Sequence, residues 1–171
     1  MDRKVEAILV DDHAVLRTGL KSYLSQQTNY LIDVVGEASS GREALQLLKT
    51  HSPDIMLLDL NMPDLGGLET TIEVRKNKYN IKILILTQYS ESIYLKRLLE
   101  AGANGYMLKS ARGEDVVAAI TAIMNGGTYI DPRIAGSVVL NSNSTEGNPS
   151  QNSLTDEELF SRLTPREQQI L

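Results

Sequence analysis

Cysteine is absent from the 171-residue chain, which excludes a disulfide framework and any thiolate metal site. Long apolar runs are absent as well: none approaches the roughly 20 residues that span a bilayer. The opening MDRKVEAILVDD has only a short apolar stretch, closed by a pair of aspartates, and does not read as a signal peptide. Positive charge is in deficit. The formal net charge of −5 disfavours non-specific binding to nucleic acid by the chain as it stands. No internal repeat is visible. The expectation is a cytoplasmic protein without membrane contact. What remains is 42% hydrophobic and 23% charged, the balance of a folded domain with a real core. The length suits one ordinary domain plus a fragment.

Apolar runs alternate with amphipathic ones. Val5–Val10, Ile32–Ala38, Asp54–Asp59, Ile81–Thr87 and Gly105–Lys109 are candidate strands. Several are apolar almost throughout, as strands buried on both faces are. Helical patterns lie between them, at about 14–27, 40–50, 66–77, 91–101 and 113–125. Leu16, Leu20 and Leu24 share one helical face, as do Val116, Ile120 and Met124. Ser40 and Glu43 have the spacing of a capping box, and Gly126-Gly127 closes the last helix. This alternation predicts a doubly wound α/β fold: a five-stranded parallel sheet, order 2-1-3-4-5, with helices on both faces.

Composition shifts near residue 141. NSNSTEGNPSQNS (141–153) is polar and aperiodic, a flexible linker by composition. TYIDPRIAGSVVL (128–140) before it is a possible extra helix. Residues 154–171 resume a helical pattern, and Thr164-Pro165-Arg166-Glu167 reads as a helix start. So short a segment cannot bury a core, so it is expected to be the beginning of a truncated domain.

Open parallel sheets bind ligands beyond the C-terminal ends of their strands, at the switch point. The first strand delivers Asp11 and Asp12 there, the third Asp59, the fourth Thr87 and the fifth Lys109. Carboxylates converging on one crevice repel unless some protonate or a cation sits among them. An all-oxygen, open cleft suits Mg²⁺. A divalent ion, an ammonium and a hydroxyl together are also what an incoming phosphoryl group needs. Asp59, in the middle, is the candidate nucleophile, since a carboxylate can accept phosphoryl as an acyl phosphate.

ILVDDH (8–13), DIMLLDLNMPDLGG (54–67), ILILTQYS (83–90) and GANGYMLKS (102–110) resemble the receiver domain of two-component response regulators. The likeness runs in order and spacing over about 5–125, and the receiver is assigned to 1–127. LTPREQQIL resembles the opening of a LuxR-type helix-turn-helix, which points to the NarL/FixJ-like subfamily. The resemblance implies a flavodoxin-like fold with Asp59 as the phosphorylated residue. It implies that Asp12, Asp59 and the Asn61 backbone carbonyl hold Mg²⁺, with Asp11 acting through a water. Lys109 would pair with phosphoryl oxygens, Thr87 would hydrogen-bond them, and Tyr106 would be the switch aromatic. The implied donor is a sensor histidine kinase. DNA would be reached only through the missing C-terminal domain, and phosphorylation would favour a homodimer, sought first on the faces of the first and fifth helices. Two positions depart from the common pattern: Ser110 stands where many receivers have a cis proline, and Gln88 is bulkier than the usual residue after the switch threonine.

Each residue also has a plainer reading. Asp59, Asp11 and Asp12 could be helix-capping acids, Thr87 an ordinary strand-end hydroxyl, Lys109 a solvated charge and Tyr106 plain core. His13 is expected to begin the first helix and face solvent rather than ligate metal. Other functions compete as well. A stand-alone receiver would signal by direct docking. A Mg²⁺-dependent aspartyl phosphatase would want an acid where Asn61 stands. A flavin-binding domain would want a phosphate-cradling loop where Asp11-Asp12-His13 stands. The leading expectation is a phosphorylation switch rather than an enzyme.

Overall fold

The computed structural model describes residues 4–27, 31–88 and 94–135. Tyr89, residues 91–93, the polar segment 141–153 and the helix start at Thr164 lie outside the described residues. Elements alternate as β1 (Val5–Val10), α1 (Ala14–Ser25), β2 (Ile32–Ala38), α2 (Gly41–Leu47), β3 (Ile55–Asp59), α3 (Gly67–Lys76), β4 (Lys82–Thr87), α4 (Leu95–Glu100), β5 (Gly105–Leu108), α5 (Gly113–Met124) and β6 (Tyr129–Ile130). The strands form one sheet, ordered β2-β1-β3-β4-β5-β6, with every pair parallel.

The apolar runs become strands because both faces are covered. All five residues of β3 are buried. Alternate side chains point to opposite faces, so each strand feeds two cores. Ile8, Met56, Leu58, Ile83, Ile85 and Tyr106 pack with Ala44, Val74 and Leu98 under α2, α3 and α4. Leu9, Leu57, Leu84 and Met107 pack with Leu24, Val116, Ile120 and Ile123 under α1 and α5. The expected fold and strand order are therefore observed.

Two local features differ from the sequence reading, and a third sits in the turn after Pro63. The sheet gains a sixth strand. Tyr129 and Ile130 pair with Gly105 and Tyr106, and a helical turn begins only at Pro132 and runs through Ala135. A helix over all of 128–140 is thus corrected: its first part is strand, and residues 136–140 lie outside the described residues. β6 satisfies backbone groups that would otherwise stand open along the edge of β5. At α2, Ser40 Oγ accepts from the Glu43 N–H at 3.2 Å, but the Glu43 carboxylate turns to the Ser39 N–H at 2.7 Å and not to Ser40. The capping box is offset by one residue. After Pro63, the positive φ falls on Asp64 (76°), whereas Gly67 serves a close approach. A Cβ there would meet the Asp59 carbonyl oxygen at 2.7 Å and Leu60 Cα at 2.8 Å. The Lys109–Ser110 peptide is trans.

Candidate functional site

The switch point lies between β1 and β3, and the described side chains converge above it. Asp11 follows β1 and is 3% exposed; Asp59 ends β3 and is 2% exposed. Lys109 follows β5, and its Nζ reaches both carboxylates, 2.8 Å from Asp11 Oδ2 and 2.8 Å from Asp59 Oδ2. Its backbone N–H donates to the Thr87 carbonyl at 2.7 Å, which ties the lysine loop to the end of β4. Thr87 and Tyr106 are both buried, Tyr106 completely. Asp12 lies at the rim, with about a third of its side chain exposed (32%). The Asn61 N–H donates to Asp59 Oδ1 at 3.2 Å.

Burial pushes the Asp59 carboxyl up to about 6. The Lys109 ammonium opposes that rise, the Asp11 carboxylate adds to it and the Asn61 N–H opposes it. Desolvation wins because the carboxylate sits at the bottom of the crevice, inside the sheet layer. Burial likewise raises the Tyr106 phenol, against the Thr87 side chain beside it.

Two further residues join the cluster. His13 is the N-cap residue of α1, as expected, and its side chain is about half exposed. Its Nδ1 nevertheless lies 3.1 Å from Asp11 Oδ1 and 3.0 Å from Asp12 Oδ1. Arg17 donates from Nη1 to the Asp11 carbonyl at 2.6 Å and from Nε to Glu37 at 3.1 Å. The sequence reading missed Arg17. Its signal was its position one helical turn after His13, which faces it back toward the end of β1.

A divalent cation fits this donor set. Ligand atoms of Asp11, Asp12, His13 and Asp59 lie within 4.8 Å of one another. Among the described residues, the buried oxygens Asp11 Oδ2 and Asp59 Oδ2 share the single Lys109 ammonium, 2.8 Å from each. One ammonium leaves the carboxylates undercompensated, so an additional positive charge is favourable there.

Residues 7–121 match the model of the response regulator receiver domain family. The chain belongs to that family. Among relatives, this receiver is 38% identical over 168 residues to the oxygen regulatory protein NreC of Staphylococcus carnosus, covering 98% of this chain and 75% of that protein. It is 35% identical to the response regulator UvrY of Escherichia coli, covering 98% of this chain and 72% of that protein. Among solved structures, a LuxR-family two-component response regulator from Aurantimonas sp. SI85-9A1 superposes with a TM-score of 0.77 at 33% identity, over 82% of this chain and 99% of that one. The receiver domain of the putative response regulator NarL from Mycobacterium tuberculosis gives 0.68 at 33% identity, over 72% of this chain and 98% of that one. The receiver is therefore of the NarL/LuxR type, and no helix among its described residues is long and apolar enough to cross a membrane.

Proposed function

We propose that this receiver accepts a phosphoryl group on Asp59 from the phosphohistidine of a sensor kinase, and that the acyl phosphate switches a transcription regulator. The reading rests above all on one observation: a buried carboxylate at the end of the central strand, bridged to Asp11 by a buried ammonium at 2.8 Å. An Asp59 oxygen attacks phosphorus, the phosphorus–nitrogen bond to the donor imidazole breaks, and the imidazole leaves with that electron pair and takes up a proton. Lys109 holds the crevice open to anionic oxygens by neutralising them. Thr87, at the end of β4, offers its hydroxyl to one of them.

Asp12, Asp59 and the Asn61 carbonyl would hold Mg²⁺, with Asp11 acting through a water. Bound there, Mg²⁺ supplies charge neutralisation for the transferring phosphoryl oxygens. Tyr106 is the switch aromatic of the proposal, and its inward, fully buried ring is the placement that role needs beside Thr87. Residues 1–127 would form the receiver and 141–153 the linker, and 154–171 would belong to a LuxR-type helix-turn-helix. DNA contact would belong to that domain, with a receiver homodimer as the phosphorylated form.

The test is intact mass after incubation with Mg²⁺ and acetyl phosphate. Wild type should gain one phosphoryl group that hydroxylamine removes, and Asp59→Asn should gain none. Chelating the metal should abolish the gain. Equal labelling of both proteins would place the acceptor elsewhere.

A further inference from the structure

Asp131 is a buried carboxylate that phosphoryl transfer does not use. It is 2% exposed, yet it lies after the last helix of the receiver, at the end of the two-residue β6. Its contacts run back to the strand that carries the switch. The Asp131 N–H donates to the Tyr106 carbonyl at 2.9 Å. Its Oδ2 accepts from the Leu108 N–H at 3.2 Å. Arg133 grips the same carboxylate in a fork, Nε to Oδ1 at 2.9 Å and Nη2 to Oδ2 at 2.7 Å. The third guanidinium nitrogen, Nη1, donates to Ser110 Oγ at 3.3 Å. Ile134, next along, is fully buried in the same apolar cluster as Tyr106 and Leu108.

The consequence is geometric. Lys109 is bracketed: the residue before it is fastened to Asp131 and the residue after it to Arg133. Forked, charge-assisted bonds are directional, and burying the Asp131 carboxylate beneath a half-exposed Arg133 costs desolvation that a plain chain exit would not require. Burial pushes the Asp131 carboxyl up, but the Arg133 guanidinium together with the Arg133 and Leu108 N–H groups outweighs it and holds the group below its ordinary value. The carboxylate therefore stays charged and the fork stays closed at neutral pH.

The geometry points to a latch. Asp131 and Arg133 fasten the outgoing segment 129–135 to both sides of Lys109, and phosphorylation of Asp59 loosens that attachment. This rests on the phosphoacceptor reading above. A phosphoryl group on Asp59 stands between its carboxylate and Lys109, so the ammonium must give up its 2.8 Å contact with Asp59 and follow the outer oxygens. In the latch, part of that displacement passes through the Lys109 backbone to Leu108 and Ser110, and their bonds to Asp131 and Arg133 lengthen. Coupling of this kind is reciprocal, so weakening the latch favours the phosphorylated form by the same factor.

Hydrogen exchange on the full 171-residue chain, with and without Mg²⁺ and beryllofluoride as the phosphoryl mimic, tests this. Beryllofluoride should protect amides at 55–61 and speed exchange at 129–135 several-fold. Arg133→Ala should already exchange fast at 129–135 and bind beryllofluoride several-fold more tightly. Ser110→Ala, at an exposed position that leaves the Asp131–Arg133 fork intact, should show a smaller change in the same direction. Protection at 55–61 with unchanged or slower exchange at 129–135 would overturn the latch and leave the phosphoacceptor reading standing. No protection at 55–61, together with no phosphoryl gain by mass, would remove both.

Discussion

At the scale of single residues, the site is organised by the cost of burying Asp59. An aspartate whose folded-state value is raised binds its proton more readily folded than unfolded. Native stability therefore falls as pH rises from about 4 to 6 and stays reduced above that. The rise from 3.8 to about 6 corresponds to about 3 kcal/mol against the ionised form. Asp59→Asn removes the charge and keeps the shape. In metal-free buffer at pH 7.5 it should be more stable than wild type by about 1–3 kcal/mol, an interval whose upper end is that pKa difference. The gain should shrink as pH is lowered through about 6 and vanish near 4. Urea titrations of both proteins across that range would decide it, and a pH-independent difference would contradict the burial argument.

At the scale of elements, strand ends and helix starts are pressed together so that short side chains can meet. Gly67 begins α3 directly against the end of β3, and its N–H donates to the Leu60 carbonyl at 2.8 Å. The added methyl of Gly67→Ala would meet backbone at 2.7–2.8 Å, and backbone cannot rotate aside. α3 must shift away from Asp59. The variant should lose about 1–3 kcal/mol of stability, the usual cost of overpacking. It should also label more slowly with acetyl phosphate, because Asn61 and Asp59 lie in the displaced turn. A variant with wild-type stability and labelling rate would show that the turn yields freely. Thr70 and Thr71, buried one turn into α3, need no partner elsewhere, because their hydroxyls donate to the Gly66 and Gly67 carbonyls at 2.6 and 2.7 Å.

At the scale of the whole molecule, the crevice proposed to hold Mg²⁺ is assembled by the fold, so its occupation would be linked to global stability. Anything that binds only the folded chain stabilises it, by about 1.4 kcal/mol at ten times its Kd. Mg²⁺ should therefore raise the Tm of wild type in a concentration-dependent way. Asp12→Asn, at the rim and away from the packed core, should abolish most of that rise while leaving the metal-free Tm close to wild type. Thermal melts over a Mg²⁺ series check both statements, and an equal rise in the two proteins would exclude Asp12 as a ligand.

The sequence by itself determined the sheet and the residues above it. Apolar runs such as IMLL are long enough, and alternate regularly enough with amphipathic stretches, to specify parallel strands covered on both faces. The residue that ends each run is then carried to one rim by topology alone, which is why Asp11, Asp59, Thr87 and Lys109 were legible. Tertiary structure decided the rest, because the signals were not periodic. A two-residue strand has no pattern of its own; Tyr129 and Ile130 are strand only because the edge of β5 is open to them. His13 has a half-exposed ring, as its helix-start position suggests, and only the fold turns its Nδ1 onto two carboxylates. Asp131 looks like a loop acid in the chain. It becomes a buried, forked carboxylate beside Lys109 because its hydrogen-bond partners, Tyr106 and Leu108, come from a strand more than twenty residues earlier.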